Sequence, residues 1–426
     1  MEQLVIGLFL LFFICELLIE LALNELNLAH VRASSSAGHM PAFIAGKMTP
    51  AEYDKSVQYT LAKGYFQRYS EFYGGAVTLV ILFGGLLPLC DGWARRWASF
   101  LPWLPYADGV LFCLGVVSVH SLALMPLSLY ATFVLESRFG FNKTTWRLYL
   151  MDRLKGIILA VLLGVPFIVV LLAFIQNAGP YWWVWTFLFA TAFQFVLLVA
   201  YPIIIAPWFN KFQPLAAGPL RDGILALAQR VDFKTSGIFT MDGSKRSGHS
   251  NAYFTGIGKA KRIVLFDTLL EQMTIDQGLA VLAHEMGHYT MKHIRRMLVV
   301  QLICLFIALY LLSLLMDYRP FFNAFGLSPS GHAALVLFAL VSGPATFYLS
   351  PVLNRLSRRH EYEADRFAAV TLGDVKPMEE ALINLTARNL TNLTPHPWYS
   401  AYHYTHPSTE ERIHALRETG ALAQPH

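Results

Sequence analysis

The sequence predicts an all-α polytopic membrane protein: about seven transmembrane helices, with polar segments outside the membrane, one of which holds a small β-element. Three observations carry this. Of 426 residues, 55% are hydrophobic and 14% charged, where a soluble domain carries about 25% charged residues. The mean hydropathy is +0.45. Seven runs are long and apolar enough to cross a hydrocarbon core about 30 Å thick.

The runs are, in order, 3–23, 73–90, 109–133, 156–176, 182–206, 298–316 and 331–352. The first lies in MEQLVIGLFLLFFICELLIEL, which lacks a basic leader and a small-residue cleavage site, so it reads as a retained span. The third is interrupted by His120 and several serines. Trp182, Trp183 and Trp185 open the fifth and read as an interfacial anchor. Cys15, Cys90, Cys113 and Cys304 lie in or beside apolar runs without a CxxC pair, which argues against disulfides and a cysteine metal site.

Basic residues test this topology. Seven spans place the N-terminus, 91–108, 177–181 and 317–330 on one side, which holds only Arg95, Arg96 and Arg319 of the 33 basic residues. The excess of Lys and Arg then puts 24–72, 134–155, 207–297 and the C-terminal segment in the cytosol. On that side the sequons at Asn142, Asn384, Asn389 and Asn392 are silent. The net charge of +5 is spread too evenly for a nucleic-acid footprint.

Four segments follow: a membrane domain with spans one to five (1–206), a cytosolic catalytic segment (207–297), a transmembrane hairpin (298–352) and a cytosolic C-terminal segment that completes the site (353–426). Within 207–297, Pro219 suits the first turn of a helix over 219–231. GIFTMDG, SNAYFTG and KRIVLFD read as short strands. Thr274 and Gln277 form a capping box that opens the next helix.

That helix carries HEMGH. His284 and His288, one turn apart, share a face about 6 Å apart, and two neutral imidazoles there suit one Zn²⁺. Glu285 is angled to meet an attacking water rather than the metal, as a general base requires. Gly287 has little helix propensity and admits a close neighbour. Catalytic zinc takes a third protein ligand, and HEYEADRFA offers Glu361 and Asp365 on one helical face: one carboxylate to bind, the other to orient a histidine. Glu363 points elsewhere and reads as solvated, and Lys292 and His293 read as interfacial. The sixth and seventh spans form an antiparallel hairpin. If the flanking helices continue past the membrane, His288 and Glu361 each stand about 15 Å beyond its edge on the same side.

MDGSKRSGHSNAYFTG, HEMGH, EYEAD and HYTHPSTEERI, in that order, resemble the integral-membrane CAAX prenyl endopeptidases, type I zinc metalloproteases. The resemblance implies a gluzincin-type cytosolic zinc protease domain, with the spans enclosing a large water-filled chamber. It implies His284, His288 and Glu361 as ligands of one Zn²⁺ per chain, Glu285 as base, and Asp365 as the carboxylate that orients a ligand. Asn251, Ala252, Tyr253 and Phe254 match a segment that pairs with an extended substrate. His406, with His403 and Arg412, matches residues near the zinc that stabilise the oxyanion or position substrate. The family often has an aromatic residue in place of His360 and an uncharged one in place of Glu363.

The expected function is peptide-bond hydrolysis in a peptide or lipidated protein substrate, among membrane lipids and without nucleic acid. Two alternatives stand beside it: an HtpX-like quality-control protease, and a transporter or receptor with an incidental HExxH. The C-terminal ALAQPH carries no ER-retrieval signal, and the chain is rich in Ala and Gly, which points to a bacterial inner membrane with the site facing the cytosol. Glu16 and Glu20 read as facing the chamber or snorkelling, and His249 as a solvated turn.

Overall fold

The computed structural model describes residues 1–36, 40–256 and 261–423, so the end of ALAQPH lies outside the described residues. The membrane half begins with α1 (Glu2–Ser36), α2 (Pro50–Phe83), α3 (Leu86–Ala98), α4 (Ala107–Tyr130), α5 (Trp146–Asn177) and α6 (Trp182–Ala200). At 1.5 Å per residue the 35-residue α1 is about 50 Å long, so it crosses the bilayer and projects beyond it. Five helices are long and apolar enough to span alone, and two bent pairs bring the total to seven if each pair forms one span.

The bends correct the reading of spans two and seven as unbroken. α2 and α3 meet at 59°, where Gly85 adopts a left-handed φ of +76°. α10 (Gly331–Val341) and α11 (Gly343–Leu372) meet at 50°, next to Pro344, which has no N–H to continue the ladder. Trp182 is buried, and Trp183 stacks edge-on to Phe306 and Tyr310 of the sixth span, so only Trp185 is exposed. The four cysteines are free.

Outside the membrane lie β1 (Phe212–Pro214), α7 (Pro219–Arg230), β2 (Gly237–Met241), β3 (Ala252–Thr255), β4 (Arg262–Phe266) and α8 (Ile275–Thr290). The sheet order is β1-β2-β4-β3, with β2 and β4 parallel and the outer pairs antiparallel. The three apolar stretches read as strands are β2, β3 and β4. β1, with the sequence FQP, has no hydrophobic run to mark it as a strand. Ile263, Val264 and Leu265 are all buried, as befits a central strand covered on both faces. Ile263 and Leu265 join Ile224 of α7 and Leu282, Ala283 and Met286 of α8 in one core.

α9 (His293–Leu315) is the sixth span. Contrary to expectation, the HEMGH helix does not run into it: α8 ends at Thr290, and Lys292 turns the chain at φ +64°. α11 does run on past its apolar part, and α12 (Lys376–Asn389), α13 (Pro397–His403) and α14 (Thr409–Ala423) complete the half outside the membrane.

Candidate active site

α8 begins at the predicted capping box, with Thr274 and Gln277 each satisfying the other's backbone N–H. Its inner face, including Leu282, Ala283 and Met286, is buried, which fixes the direction in which the histidines project. α11 packs directly on it. The contact depends on Gly287: a Cβ there would lie 3.2 Å from Ala364 Cα and from Phe367 Cβ. The close neighbour that Gly287 admits is therefore the helix carrying Glu361.

The result is a convergence of three side chains. His284 Nε2 and His288 Nε2 are 3.1 Å apart. Glu361 Oε1 lies 3.2 Å from His288 Nε2, and Oε2 lies 3.4 Å from His284 Nε2. One donor atom from each residue lies within 4.8 Å of the others. Glu361 is buried, yet its Oε2 has no hydrogen-bond partner. Two imidazole nitrogens aimed at each other and an orphaned carboxylate oxygen form a donor set suited to a cation.

Asp365, one turn further along α11, places Oδ1 2.8 Å from His284 Nδ1. Arg412 of α14 grips Asp365 with two hydrogen bonds, Nε to Oδ2 at 2.7 Å and Nη2 to Oδ1 at 2.6 Å. Nη2 is also 3.3 Å from His284 Nδ1. Both nitrogens are donors once the imidazole serves Asp365, so the carboxylate is the partner of each. The proton on Nδ1 leaves the Nε2 lone pair free. Burial works against a charged His284, but the Asp365 and Glu361 carboxylates beside it outweigh that and bring its pKa up to about 9. Burial also raises Glu285 above the ordinary carboxylate range, against the pull of His284 and His288.

The other expected residues divide. His406 is exposed and close, with Nε2 3.4 Å from Glu361 Oε1. Arg412 is buried, with its fork on Asp365 and Nη1 3.6 Å from Glu361 Oε2. His403 points away, 3.4 Å from Glu20 of the first span. Asn251 precedes β3, where Ala252 is buried and Phe254 stacks on Phe233 at 4.8 Å. Tyr253 meets Phe266 edge-on. Those side chains are engaged, and the outer main-chain edge of β3 has no strand partner among the described residues.

Three residues differ from expectation. His293, expected at the interface, is buried with Nδ1 3.0 Å from His288 Nδ1. Glu363, expected to be solvated, lies 3.0 Å from His293 Nε2. Helical periodicity could not reveal this pair, because the turn at Lys292 resets the phase. His249 is no solvated turn: it stacks on Phe141 at 3.9 Å and lies 3.2 Å from Asn389 Oδ1.

Two cavities meet at His406. One, of about 720 Å³, is lined mostly by polar residues, including Tyr59, Lys63, Gln67, Tyr399 and Arg412. The other, of about 630 Å³, is apolar and runs between the fifth and sixth spans along Leu197, Leu198, Met297 and Leu298.

Five to seven membrane-crossing elements beside a histidine–carboxylate site on an HExxH helix define a membrane-embedded metalloprotease. Comparison with known proteins gives the particular family. Residues 30–211 match the family model described as CAAX prenyl protease N-terminal, five membrane helices. Residues 214–420 match peptidase family M48. The CAAX prenyl protease 1 homolog of Arabidopsis thaliana is 37% identical, over 88% of this chain and 90% of its own. The corresponding human protein is 33% identical, over 91% and 90%. The crystal structure of Ste24p from S. mikatae superposes with a TM-score of 0.89 at 32% identity, covering 97% of this chain and 98% of its own. The chain belongs to the CAAX prenyl protease 1 family of M48 metallopeptidases. These relatives are eukaryotic, so the expectation of a bacterial source is not borne out.

Proposed function

We propose that this metalloprotease removes the C-terminal tripeptide of prenylated CAAX proteins, at a cytosolic site holding one zinc ion through His284, His288 and Glu361. The observation that carries the metal site is the convergence of those three donors around an unpartnered Glu361 Oε2. Zinc, when bound, supplies a Lewis acid that makes water acidic enough to attack near neutral pH and polarises the scissile carbonyl.

The chain's own residues do the rest. Glu285 accepts the proton of the attacking water, and its burial-raised pKa suits a base that must later return that proton to the leaving amine. Asp365, held by Arg412, keeps the proton of His284 on Nδ1. His406, which borders both cavities, is in reach of the developing oxyanion. The free edge of β3 suits an extended peptide, which it would hold by main-chain hydrogen bonds from Asn251 to Phe254. The polar cavity has the chemistry for a peptide, and the apolar one, beside the site, for a prenyl chain. His403, on Glu20, sits in the wall of the polar cavity and contacts substrate further from the scissile bond.

Glu285→Gln is expected to keep its metal while lowering kcat by about 10²–10⁴-fold. A variant that cleaves at the wild-type rate removes Glu285 from the mechanism. Matched prenylated and unprenylated CAAX peptides test the substrate class. Equal kcat/KM for both, together with cleavage of an unfolded membrane protein, would move the reading to quality control.

A further inference from the structure

His284 has an evident partner at Nδ1. His288 needs one too, because a neutral imidazole that binds a metal through Nε2 must carry its proton on Nδ1 and place it somewhere. Among the described residues no carboxylate meets that nitrogen. It faces another imidazole, with His288 Nδ1 3.0 Å from His293 Nδ1. His293 in turn presents Nε2 to Glu363 Oε2, also at 3.0 Å. His293 is 2% exposed, and the ring of His360 stacks on it at 4.2 Å with an 11° interplanar angle, so its plane is held. Glu363 is held from outside by Arg359 at 2.9 Å and by Arg296 at 3.4 Å.

The direction of this chain follows from what each group can donate. Glu363, paired with two guanidinium groups, is an acceptor only, so His293 carries a proton on Nε2. A neutral His293 then has its lone pair on Nδ1. It can only accept from His288, whose proton must sit on Nδ1 and whose Nε2 lone pair is left for the metal. Reversing any one link makes two donors or two acceptors face each other.

We propose that the His293–Glu363 pair is a positioning relay for His288: it fixes the tautomer and ring orientation in which His288 can bind the metal. The relay rests on the metal-site reading above and extends it to two residues outside the donor set. His293 lies beyond the HEMGH pattern, and Glu363 occupies a position between Glu361 and Asp365 that the ligand pattern leaves unspecified. It gives the two ligand histidines separate supports, Asp365–Arg412 for one and His293–Glu363 for the other.

The test is zinc affinity, measured on the purified full-length protein in detergent by competition with a chromophoric chelator, with helix content and the melting transition followed in parallel. His293→Leu removes the acceptor and is expected to weaken zinc binding about 10–100-fold. His293→Gln can present a carbonyl to His288 and an amide N–H to Glu363, so it is expected to stay near the wild-type value. Glu363→Ala leaves His293 folded in place without its acceptor, and about a tenfold loss is expected even if His293→Leu does not fold. Wild-type affinity in Glu363→Ala, or equal losses in His293→Leu and His293→Gln, overturns the relay. His288→Ala separates the two readings: if it binds zinc as tightly as the wild type, the metal site itself is wrong. If it loses zinc while Glu363→Ala does not, only the relay fails.

Discussion

Arg412 and Asp365 show how much a single buried ion pair carries here. Both are buried, and their bidentate contact holds the carboxylate that orients His284. Replacing Arg412 with Met leaves Asp365 without its guanidinium partner, a loss of about 3–5 kcal/mol for breaking a buried pair from one side. The melting temperature in detergent should drop sharply, and adding Asp365→Asn should recover part of it. If Arg412→Met melts like the wild type, the pair is not structural. His284 carries a second prediction. With its pKa near 9, most of it is protonated at pH 7 in the metal-free protein. Metal binding must displace that proton from Nε2, so affinity should rise with pH between about 6 and 9. Calorimetry of zinc uptake at pH 7 in buffers of different ionisation enthalpy should register about one proton released. Heats independent of buffer would contradict this.

At the scale of elements, the site depends on how closely α8 and α11 approach. Gly287 is the residue that permits it, because a side chain there would press on Ala364 and Phe367. Gly287→Val should cost about 1–3 kcal/mol by overpacking and should also separate Glu361 from the histidines. Zinc affinity and thermal stability should therefore fall together. Loss of stability with unchanged affinity would mean that the helices shift along the groove rather than apart. The same pair of helices shows what sequence patterns can and cannot locate. The spacing of His284 and His288, the Thr274 cap and the three apolar strands each depend on local neighbours, and each was readable. The turn at Lys292 was not, because no glycine or proline marks it and the left-handed φ is borne by a lysine. That turn places His293 against His288 and so decides which residues support the site.

For the whole molecule, the seven-span count and the charge asymmetry lead to one topology. Among single reporter cysteines in a cysteine-free background, one at Lys245 should react with an impermeant thiol reagent from the cytosolic side only. One at Ser328, exposed between the last two spans, should react from the opposite side only. Labelling of both from one side would mean an even number of crossings between them.

Composition, span length and the order of the HEMGH, NAYF and EYEAD stretches determined the class of fold, the number of crossings and the metal-ligand candidates. These are properties of periodicity and residue chemistry within short windows. The tertiary structure alone decided that α2 and α11 belong to bent spans, and that Arg412 grips Asp365 while His403 faces Glu20. It also decided that His293 and Glu363 stand behind His288. Those facts arise where helices far apart in the chain meet, and which of several equally polar side chains then face one another depends on helix rotation and crossing, to which local sequence is blind.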